Sequence, residues 1–344
     1  MPLIDDIPYD LNTIFDHPMQ EQTQSSVGCG QNCIQQYVFR YLYWLVPRAI
    51  YKPFVVGTGV HKGMEILLDP SLPKNLTARL PQALAGIDAS FAKKYEEPEA
   101  TMGSMPAQLE HGRAQAHACV TAWALNFYND LPFKVIATEV NCRCEATPHY
   151  YKNKDGPSSD EFRKRMAGKL DGQVEELNTL DAYLLEHKAL SSIRTIDWGN
   201  ALEMNHQALW YLILSHGLTP AKGFYYNVMA KPAHKVGKNW DDLRNRMIEA
   251  MCGDTEKYFA MFPVTIEEDK LIRMENNWKR TLHRLDTLTP DTVEMNLGAC
   301  GAYSGCPYKP LCRNLVDAGC PHSVFDTPEI EMFKFVEPHI ELTE

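Results

Sequence analysis

Hydrophobic residues recur at helical spacing through the first third of the chain. The segment CIQQYVFRYLYWLV (33–46) has apolar residues three and four positions apart, and it predicts a helix that ends at Pro47. A second helix is expected over 57–69, entered through the glycine-rich stretch GTGVH. Residues 81–128 follow the same helical period. The N-terminal part of the chain is therefore predicted to be mainly helical.

From residue 133 onward, strand patterns join the helical ones. Candidate strands cover 133–140, 169–177, 182–190 and 223–230, and further helices are expected over 198–217 and 239–286. Because helices come both before and between the strands, the pattern predicts a single α/β core. The expected organisation is an N-terminal arm at 1–25, one domain at 26–320 with a helical insertion at about 70–130, and a tail at 321–344.

Composition and net charge exclude few classes of protein. The 344-residue chain has a formal net charge of −10, which does not indicate a nucleic-acid binder, although a local basic groove can coexist with an acidic whole. The start, MPLIDDIPYDLN, lacks the basic and apolar regions of a signal peptide, and the apolar segment 37–46 is too short to span a membrane. Ten cysteines without a secretion signal indicate a reducing, cytoplasmic compartment, where clustered thiols favour metal ligation over disulfides.

The strand AYLLEHKAL (182–190) carries two opposite charges, Glu186 and Lys188. Residues two apart on a strand share a face, so these two are co-facial and His187 points away. The simpler interpretation is an exposed ion pair on an edge strand. If 169–177 and 182–190 form a hairpin, however, Asp171 comes beside Glu186. Two adjacent carboxylates repel each other unless a cation lies between them, and Mg²⁺ accepts one or two carboxylates together with phosphate oxygens and water.

Two further features add to this hypothesis. His61 follows the glycine-rich turn expected in GTGVH and is placed to complete a metal site, although a single helical histidine is usually structural or solvated. Gln207 and Tyr211 lie one helical turn apart and share a face. Such a pair most often serves packing, but it also offers an amide and a phenol to a phosphate or a base. The set is consistent with hydrolysis of a phosphodiester, with Lys188 beside the metal.

The ordered motifs GTGVH, KLDG, LLEHK and QALWY resemble the RecB-type branch of the PD-(D/E)XK nuclease superfamily. This resemblance implies a restriction-endonuclease-like fold, a central mixed β-sheet flanked by helices. It also implies that Mg²⁺ or Mn²⁺ is bound by three side chains and a backbone carbonyl: His61, Asp171, Glu186 and the His187 carbonyl oxygen. Lys188 would be the catalytic lysine, and Gln207 and Tyr211 would contact DNA. Glu139, on the preceding strand, is either an extra acidic group or a solvated carboxylate.

A cysteine cluster lies near the C-terminus. CGAYSGCPYKPLC contains Cys300, Cys306 and Cys312, in a segment rich in glycine and proline that is typical of metal ligands on a loop. A fourth ligand is available upstream in Cys29 or Cys33. Zinc and a 4Fe-4S cluster both accept four thiolates, but the close cysteine pairs common in zinc sites are missing here. The alternative is a chance group of buried free thiols.

The sequence GCPYKPLC is similar to the C-terminal cysteine motif of iron–sulfur RecB-like nucleases, which include CRISPR-associated exonucleases and the AddAB helicase-nuclease. The resemblance implies a 4Fe-4S cluster held by Cys33 together with the C-terminal triplet, in a segment covering 298–320. Relatives commonly have C-x₂-C-x₅-C where this chain has C-x₅-C-x₅-C, which puts Cys300 in question. Cys320 is an outside candidate. The cluster would act as a structural staple between two distant parts of the chain.

Two other cysteines, Cys142 and Cys144, are interpreted as structural. Three basic stretches, at 162–169, 231–238 and 276–284, are either solvated faces or a path for nucleic acid. The sequence therefore predicts a metal-dependent DNA nuclease, an exonuclease acting on single strands or DNA ends, working with other recombination or CRISPR adaptation proteins and without membrane association. The alternatives are a non-catalytic, cysteine-stapled DNA-binding subunit and, less favoured, a redox iron–sulfur enzyme.

Overall fold

A computed structural model describes most of the chain. The described residues are 22–48, 52–96, 105–143, 166–193, 205–215, 221–235, 239–313, 325 and 327–336. The predictions for the N-terminal arm before residue 22, for most of the basic stretch 162–169, for Cys144 and Cys320, and for the tail after residue 336 lie outside these ranges. The chain divides into two compact units, one formed by Met1–Ala49, Cys142–Gly168 and Glu267–Glu344, the other by Ile50–Asn141 and Lys169–Ile266.

The helices and strands are numbered in chain order. The helices are α1 Gln24–Asn32, α2 Ile34–Tyr37, α3 Lys52–Leu68, α4 Leu76–Tyr95, α5 Met105–Phe127, α6 His206–Ser215, α7 Trp240–Gly253, α8 Thr255–Tyr258, α9 Glu268–Asp286 and α10 Lys309–Arg313. The strands are β1 Leu45–Pro47, β2 Phe133–Arg143, β3 Ala167–Glu176, β4 Ala182–Leu190, β5 Gly223–Ala230, β6 Phe259–Thr265 and β7 Phe333–Phe335. Short 3₁₀ turns cover Pro290–Thr292, Ala299–Ser304 and Pro328–Met332.

Among the described residues, five strands form the central sheet in the order β2-β3-β4-β5-β6. Strands β3 and β4 are antiparallel, β4 and β5 are parallel, and β5 and β6 are antiparallel. All eight residues of β5 are buried, which suits a central strand covered on both faces. The mixed sheet flanked by helices confirms the predicted fold class.

One face of this sheet carries the main core of the larger unit. Tyr183 and Leu185 on β4, with Tyr225 and Met229 on β5, join a cluster of buried side chains from α3, α4, α5 and α7. Because side chains alternate along a strand, Glu186 and Lys188 project to the opposite face of β4. The sheet therefore holds an apolar core on one face while β4 presents its two charged side chains on the other.

The prediction of a glycine-rich turn before His61 is wrong. The whole stretch GTGVH lies inside helix α3, so His61 is in the middle of this helix and not at its opening. A Cβ atom at Gly63 would lie 2.8 Å from Val120, and one at Gly59 would lie 2.8 Å from Phe91. Gly59 and Gly63 serve close packing of α3 against α4 and α5, because any larger side chain would collide with these neighbours.

Two further expectations are corrected by strand pairing. The helix predicted over 33–46 is interrupted, because α2 passes into a π-turn at Val38–Leu42 and β1 then pairs with β7. The region 239–286, expected to be mostly helical, contains β6, whose sequence FAMFPVT pairs with β5. Pro263 is tolerated in β6 because this strand lies at the edge of the sheet.

In the smaller unit, aromatic stacking joins the N-terminal and C-terminal segments. The rings of Phe39 and Tyr308 lie 5.9 Å apart, and those of Tyr308 and Phe333 lie 5.3 Å apart. The Tyr308 hydroxyl donates a hydrogen bond of 2.7 Å to the Leu45 carbonyl oxygen.

Among the described helices, none has the length and apolar character needed to cross a membrane.

Candidate active site

The hairpin β3–β4 sets the positions of the two carboxylates. Its register pairs Gly172 with Leu185, so the next position places Asp171 opposite Glu186. Asp171 Oδ2 also accepts a hydrogen bond of 2.8 Å from the backbone N–H of His187. Gly172 lies within β3 and not in a turn. A Cβ there would be 2.8 Å from the carbonyl oxygen of Ala137, so a larger residue would not fit. The predicted pairing of the two acidic strands is therefore present.

His61 reaches this hairpin from α3. Its Nδ1 atom lies 3.1 Å from Asp171 Oδ1. Burial lowers the pKa of His61, but the Asp171 carboxylate outweighs this effect and raises it to about 9. Burial likewise disfavours ionisation of Asp171, yet His61 and the His187 N–H lower its pKa to about 2. The two side chains form an ion pair at neutral pH.

Glu186 and Lys188 are linked to α6 through a short hydrogen-bonded chain. Lys188 Nζ lies 2.5 Å from Glu186 Oε1 and 2.8 Å from Gln207 Oε1. Gln207 Nε2 in turn lies 3.5 Å from the Tyr211 hydroxyl. Glu186 is only 2% exposed, so the simpler interpretation of a solvated surface ion pair is wrong. Burial raises the pKa of Glu186, while the Lys188 ammonium opposes this shift.

The six side chains selected from the sequence thus converge within one unit. His61, Asp171, Glu186, Lys188, Gln207 and Tyr211 come from α3, β3, β4 and α6. The side chain of His187 lies on the opposite face of β4 from its two charged neighbours, as predicted. Burial lowers its pKa to about 4, so this imidazole is neutral.

Glu139 lies beside this group and has an unusual backbone. Its φ angle is +50°, in the left-handed region that non-glycine residues rarely adopt. Its Oε2 atom is 2.7 Å from Lys169 Nζ. Burial raises the pKa of Glu139, and the carboxylates of Asp171 and Glu65 raise it further. Glu139 is therefore an acidic neighbour of the two paired strands rather than a solvated carboxylate.

Sequence reasoning missed Glu65, which follows His61 by one helical turn on α3. The spacing of four residues was the available signal, since it places both side chains on one face of a helix. It also missed Tyr226, which faces Glu186 across the β4–β5 pair. The Tyr226 hydroxyl is buried and, among the described residues, has no hydrogen-bond partner.

The donor atoms of this group are mostly paired with one another. In the described ranges, no group of three or more His, Cys, Asp or Glu side chains is arranged to hold a metal ion. His61 is paired with Asp171, and one Glu186 oxygen is paired with Lys188. The other oxygen, Oε2, is buried without a hydrogen-bond partner among the described residues, which is costly for a carboxylate unless a cation or water meets it. Carboxylate oxygens and an imidazole suit Mg²⁺ or Mn²⁺, so the donor chemistry fits.

Comparison with known families identifies the superfamily of the chain. A model of the PD-(D/E)XK nuclease superfamily matches residues 22–313. The chain belongs to the PD-(D/E)XK nuclease superfamily. No curated protein matches it significantly. Membership indicates a metal-dependent nuclease, a hydrolase of a superfamily that generally uses Mg²⁺ or Mn²⁺ and acts on DNA.

The smaller unit of this PD-(D/E)XK protein contains the cysteine group. The Asn296 backbone N–H lies 3.5 Å from Cys33 Sγ, and Cys300 Sγ lies 3.7 Å from the Asn296 carbonyl oxygen. Burial, together with the nearby thiols of Cys306, Cys33 and Cys300, raises the pKa of Cys312 to about 12. These four thiols are therefore close enough to influence one another.

Cys29 is a fifth thiol in the same region. Burial and the thiols of Cys33 and Cys306 raise its pKa to about 12, against an opposing effect from Arg40. Cys33 interacts electrostatically with the thiols of Cys29, Cys306 and Cys312, and it shares Asn296 with Cys300. The choice between Cys29 and Cys33 as the upstream ligand stays a prediction in favour of Cys33. Cys142 is buried at the end of β2, and burial raises its pKa to about 11.

The basic stretches are partly neutralised by neighbours where they are described. Lys169 pairs with Glu139 at 2.7 Å. In α9, Lys279 Nζ lies 3.1 Å from Glu275. The end of that helix carries Arg284, which lies 2.5 Å from Glu294. A path for nucleic acid along these stretches stays a prediction.

Proposed function

We propose that this PD-(D/E)XK protein is a DNA exonuclease whose divalent cation is held by His61, Asp171 and Glu186, with the His187 carbonyl oxygen as a further ligand. The buried, unpartnered Glu186 oxygen beside the His61–Asp171 pair carries this proposal. Mg²⁺ or Mn²⁺ bound there would polarise the scissile phosphate and lower the pKa of an attacking water.

The protein groups around the cation have separate tasks in this proposal. Asp171 is held by the His187 N–H, which would keep its carboxylate in a fixed direction beside a bound cation. Lys188 carries a positive charge beside Glu186 and is placed to orient the attacking water or to stabilise charge developing on the phosphate. Gln207 and Tyr211 present an amide and a phenol to the DNA backbone.

Cleavage of labelled DNA by purified variants tests the assignment. Asp171→Ala and Glu186→Ala should abolish Mg²⁺-dependent and Mn²⁺-dependent cleavage while the circular-dichroism spectrum stays that of the wild type. Asp181→Ala is the matched control, because Asp181 pairs with Lys222 elsewhere on the same unit and has no role in the proposal. Cleavage by both active-site variants at the wild-type rate would contradict the proposal.

The preference for ends and single strands rests on the resemblance to RecB-type nucleases. Linear and covalently closed circular DNA, each in single-stranded and duplex form, separate an exonuclease from an endonuclease. We expect digestion of linear single strands and of duplex ends, with closed circles left intact. Cutting of closed circles would make the protein an endonuclease. Binding of DNA without any cleavage would favour the non-catalytic DNA-binding subunit.

We further propose a structural 4Fe-4S cluster held by Cys33, Cys300, Cys306 and Cys312, in a protein of DNA recombination, repair or CRISPR-type processing. The mutual electrostatic influence of these thiols supports the proposal, as does the shared contact of Cys33 and Cys300 with Asn296. Four thiolates suit either this cluster or zinc.

Metal analysis of protein purified without oxygen distinguishes the two metals. We expect about four iron atoms and four sulfides per chain and a brown colour, all lost in Cys312→Ala. Cys252→Ala is the control, because this cysteine lies on α7 in the other unit, where its sulfur accepts a hydrogen bond from Asn126. Colourless protein that contains one zinc ion would refute the cluster type.

A further inference from the structure

A buried chain of hydrogen bonds leads from the helical core to the candidate metal site. The indole N–H of Trp123, on α5, donates to Oδ1 of Asn227, on β5, at 2.8 Å. The Asn227 amide Nδ2 lies 3.0 Å from Nδ1 of His187, on β4. The three residues are 0%, 1% and 2% exposed, so water does not compete for these groups.

The indole of Trp123 fixes which atom donates and which accepts in both hydrogen bonds of this series. An indole nitrogen can only donate a hydrogen bond, so the Asn227 atom facing it is the carbonyl oxygen. The amide nitrogen of Asn227 then faces His187 and can only donate. Nδ1 of His187 must therefore accept, and in the neutral imidazole the proton lies on Nε2.

His187 contacts both partners of the ion pair. Its backbone N–H holds Asp171 Oδ2 at 2.8 Å. Its ring meets the ring of His61 edge-on, with the ring centroids 6.0 Å apart and the planes at 90°. The His187 side chain, which lies on the opposite face of β4 from Glu186 and Lys188, thus supports the His61 imidazole on α3.

Asn227 is suited to hold the His187 ring in place. It is the direct neighbour of His187 in the parallel pair β4–β5, so the contact joins two adjacent central strands. Loss of the amide would leave the buried Trp123 N–H and the His187 Nδ1 without these hydrogen bonds, which the interior does not replace. The ring of His187 would then lose the contact that fixes its tautomer and its orientation.

We propose that Asn227 is a positioning residue that fixes the tautomer and orientation of the His187 ring, which in turn positions His61 for the divalent cation. The inference rests on the proposed function, because His61 has this task only if it binds the metal. Asn227 itself touches neither the cation nor the DNA.

The tautomer can be measured without metal or substrate. Nitrogen-15 NMR of the histidine rings in the full-length protein should show His187 protonated at Nε2. In Asn227→Asp the carboxylate can only accept, so the His187 proton should move to Nδ1 while Trp123 keeps its partner. A wild-type His187 protonated at Nδ1, or an Asn227→Asp variant with an unchanged ring spectrum, would overturn the inference.

Binding of Mn²⁺, followed by electron paramagnetic resonance, tests the effect on the site. Asn227→Leu keeps the size of the side chain and removes both hydrogen bonds, and we expect Mn²⁺ affinity about 10- to 100-fold weaker. The control is Asn126→Leu, which removes two hydrogen bonds of the half-buried Asn126, to Ala122 on α5 at 2.7 Å and to Cys252 on α7 at 3.4 Å. This variant should lose comparable thermal stability and keep its Mn²⁺ affinity.

The outcomes separate the inference from the proposed function. A folded Asn227→Leu variant that binds Mn²⁺ as tightly as the wild type refutes the positioning role while leaving the nuclease assignment intact. A wild-type protein that neither binds Mn²⁺ nor cleaves DNA refutes the proposed function, and the positioning role falls with it. The NMR spectrum of the wild type still reports in that case whether the hydrogen-bond chain sets the tautomer.

Discussion

The two groups of potential metal ligands are built in different ways. His61, Asp171 and Glu186 stand on regular helices and strands, and each is held by a partner from another element or from its own strand. Cys300 and Cys306 lie in or beside a short 3₁₀ turn. The thiols interact mainly with one another and with backbone groups such as those of Asn296.

This contrast suggests different sources of order for the two groups. The carboxylate and imidazole group is held by the sheet and helices, so it should persist when its cation is removed. Cys312 lies on α10 and Cys33 lies between α1 and α2, but Cys300 and Cys306 lie outside the α-helices and strands. A bound cluster would add order around these two cysteines, since metal-binding energy then counts as folding energy. The predictions that follow are ordered by the size of the expected effect.

Removal of metals should affect the two regions very differently. Chelation of divalent cations should leave hydrogen-exchange protection of β3 and β4 unchanged. Removal of iron should abolish protection of the backbone amides around Cys300, Cys306 and Cys312, because the cluster supplies their order. Hydrogen exchange followed by mass spectrometry measures both regions in one experiment. Equal loss of protection in both regions would show that the contrast is wrong.

Substitution of the lysine in the active site should separate chemistry from structure. Lys188→Met should lower the cleavage rate about 10²- to 10⁴-fold, because a charge that serves proton transfer or phosphate stabilisation is lost. Mn²⁺ affinity and visible absorbance should stay near the wild-type values. Lys222→Met is the control, since Lys222 forms an exposed pair with Asp181 on the same unit. A rate that falls equally in both variants would point to a general electrostatic effect.

Close packing of α3 offers a test of how the fold positions His61. Gly63→Ala would place a methyl group 2.8 Å from Val120, so we expect a loss of about 1–3 kcal/mol in the free energy of unfolding, together with weaker Mn²⁺ binding. Gly57→Ala in the same helix meets no atom within 4 Å. This control should stabilise the protein by roughly 0.5–1 kcal/mol, because alanine favours helix over glycine. Chemical denaturation measures both, and equal effects would contradict the packing role.

The smallest effect is expected at the loop beside the thiols. Asn296 Nδ2 donates to the Asn32 carbonyl oxygen at 2.7 Å, and its Oδ1 accepts from the Gly298 N–H at 3.1 Å. Asn296→Ala should cost about 0.5–1.5 kcal/mol and speed the release of iron to a chelator. Cleavage should be unchanged. Unaltered iron release would show that the side chain does not hold this loop.

The sequence was most informative where chemistry and strand alternation agree. Strand alternation put Glu186 and Lys188 on one face, and the hairpin hypothesis put Asp171 beside Glu186, as the register bears out. His61 was selected with a wrong local structure, because the glycines around it were interpreted as a turn. Only the distances to Phe91 and Val120 show that Gly59 and Gly63 serve helix packing.

Other features were beyond the reach of local patterns. Asn227 is a single polar residue in an otherwise apolar strand, and nothing in GFYYNVMA indicates that Trp123 and His187 lie on either side of it. Strand β6 was missed because it lies between helices, and its pairing with β5 is a long-range contact that local periodicity does not reveal. Tertiary contacts decided both cases.

The smaller unit is assembled from segments at both ends of the sequence and from its middle. On a ribosome, Cys33 emerges long before Cys312, so the thiol group is complete only after the whole segment between them has been synthesised. The other unit ends at Ile266 and has all its own segments by then. A chain that stops before Cys300 would contain every segment of the larger unit but only part of the thiol group. Closure of the thiol group would thus follow synthesis of every segment of the larger unit.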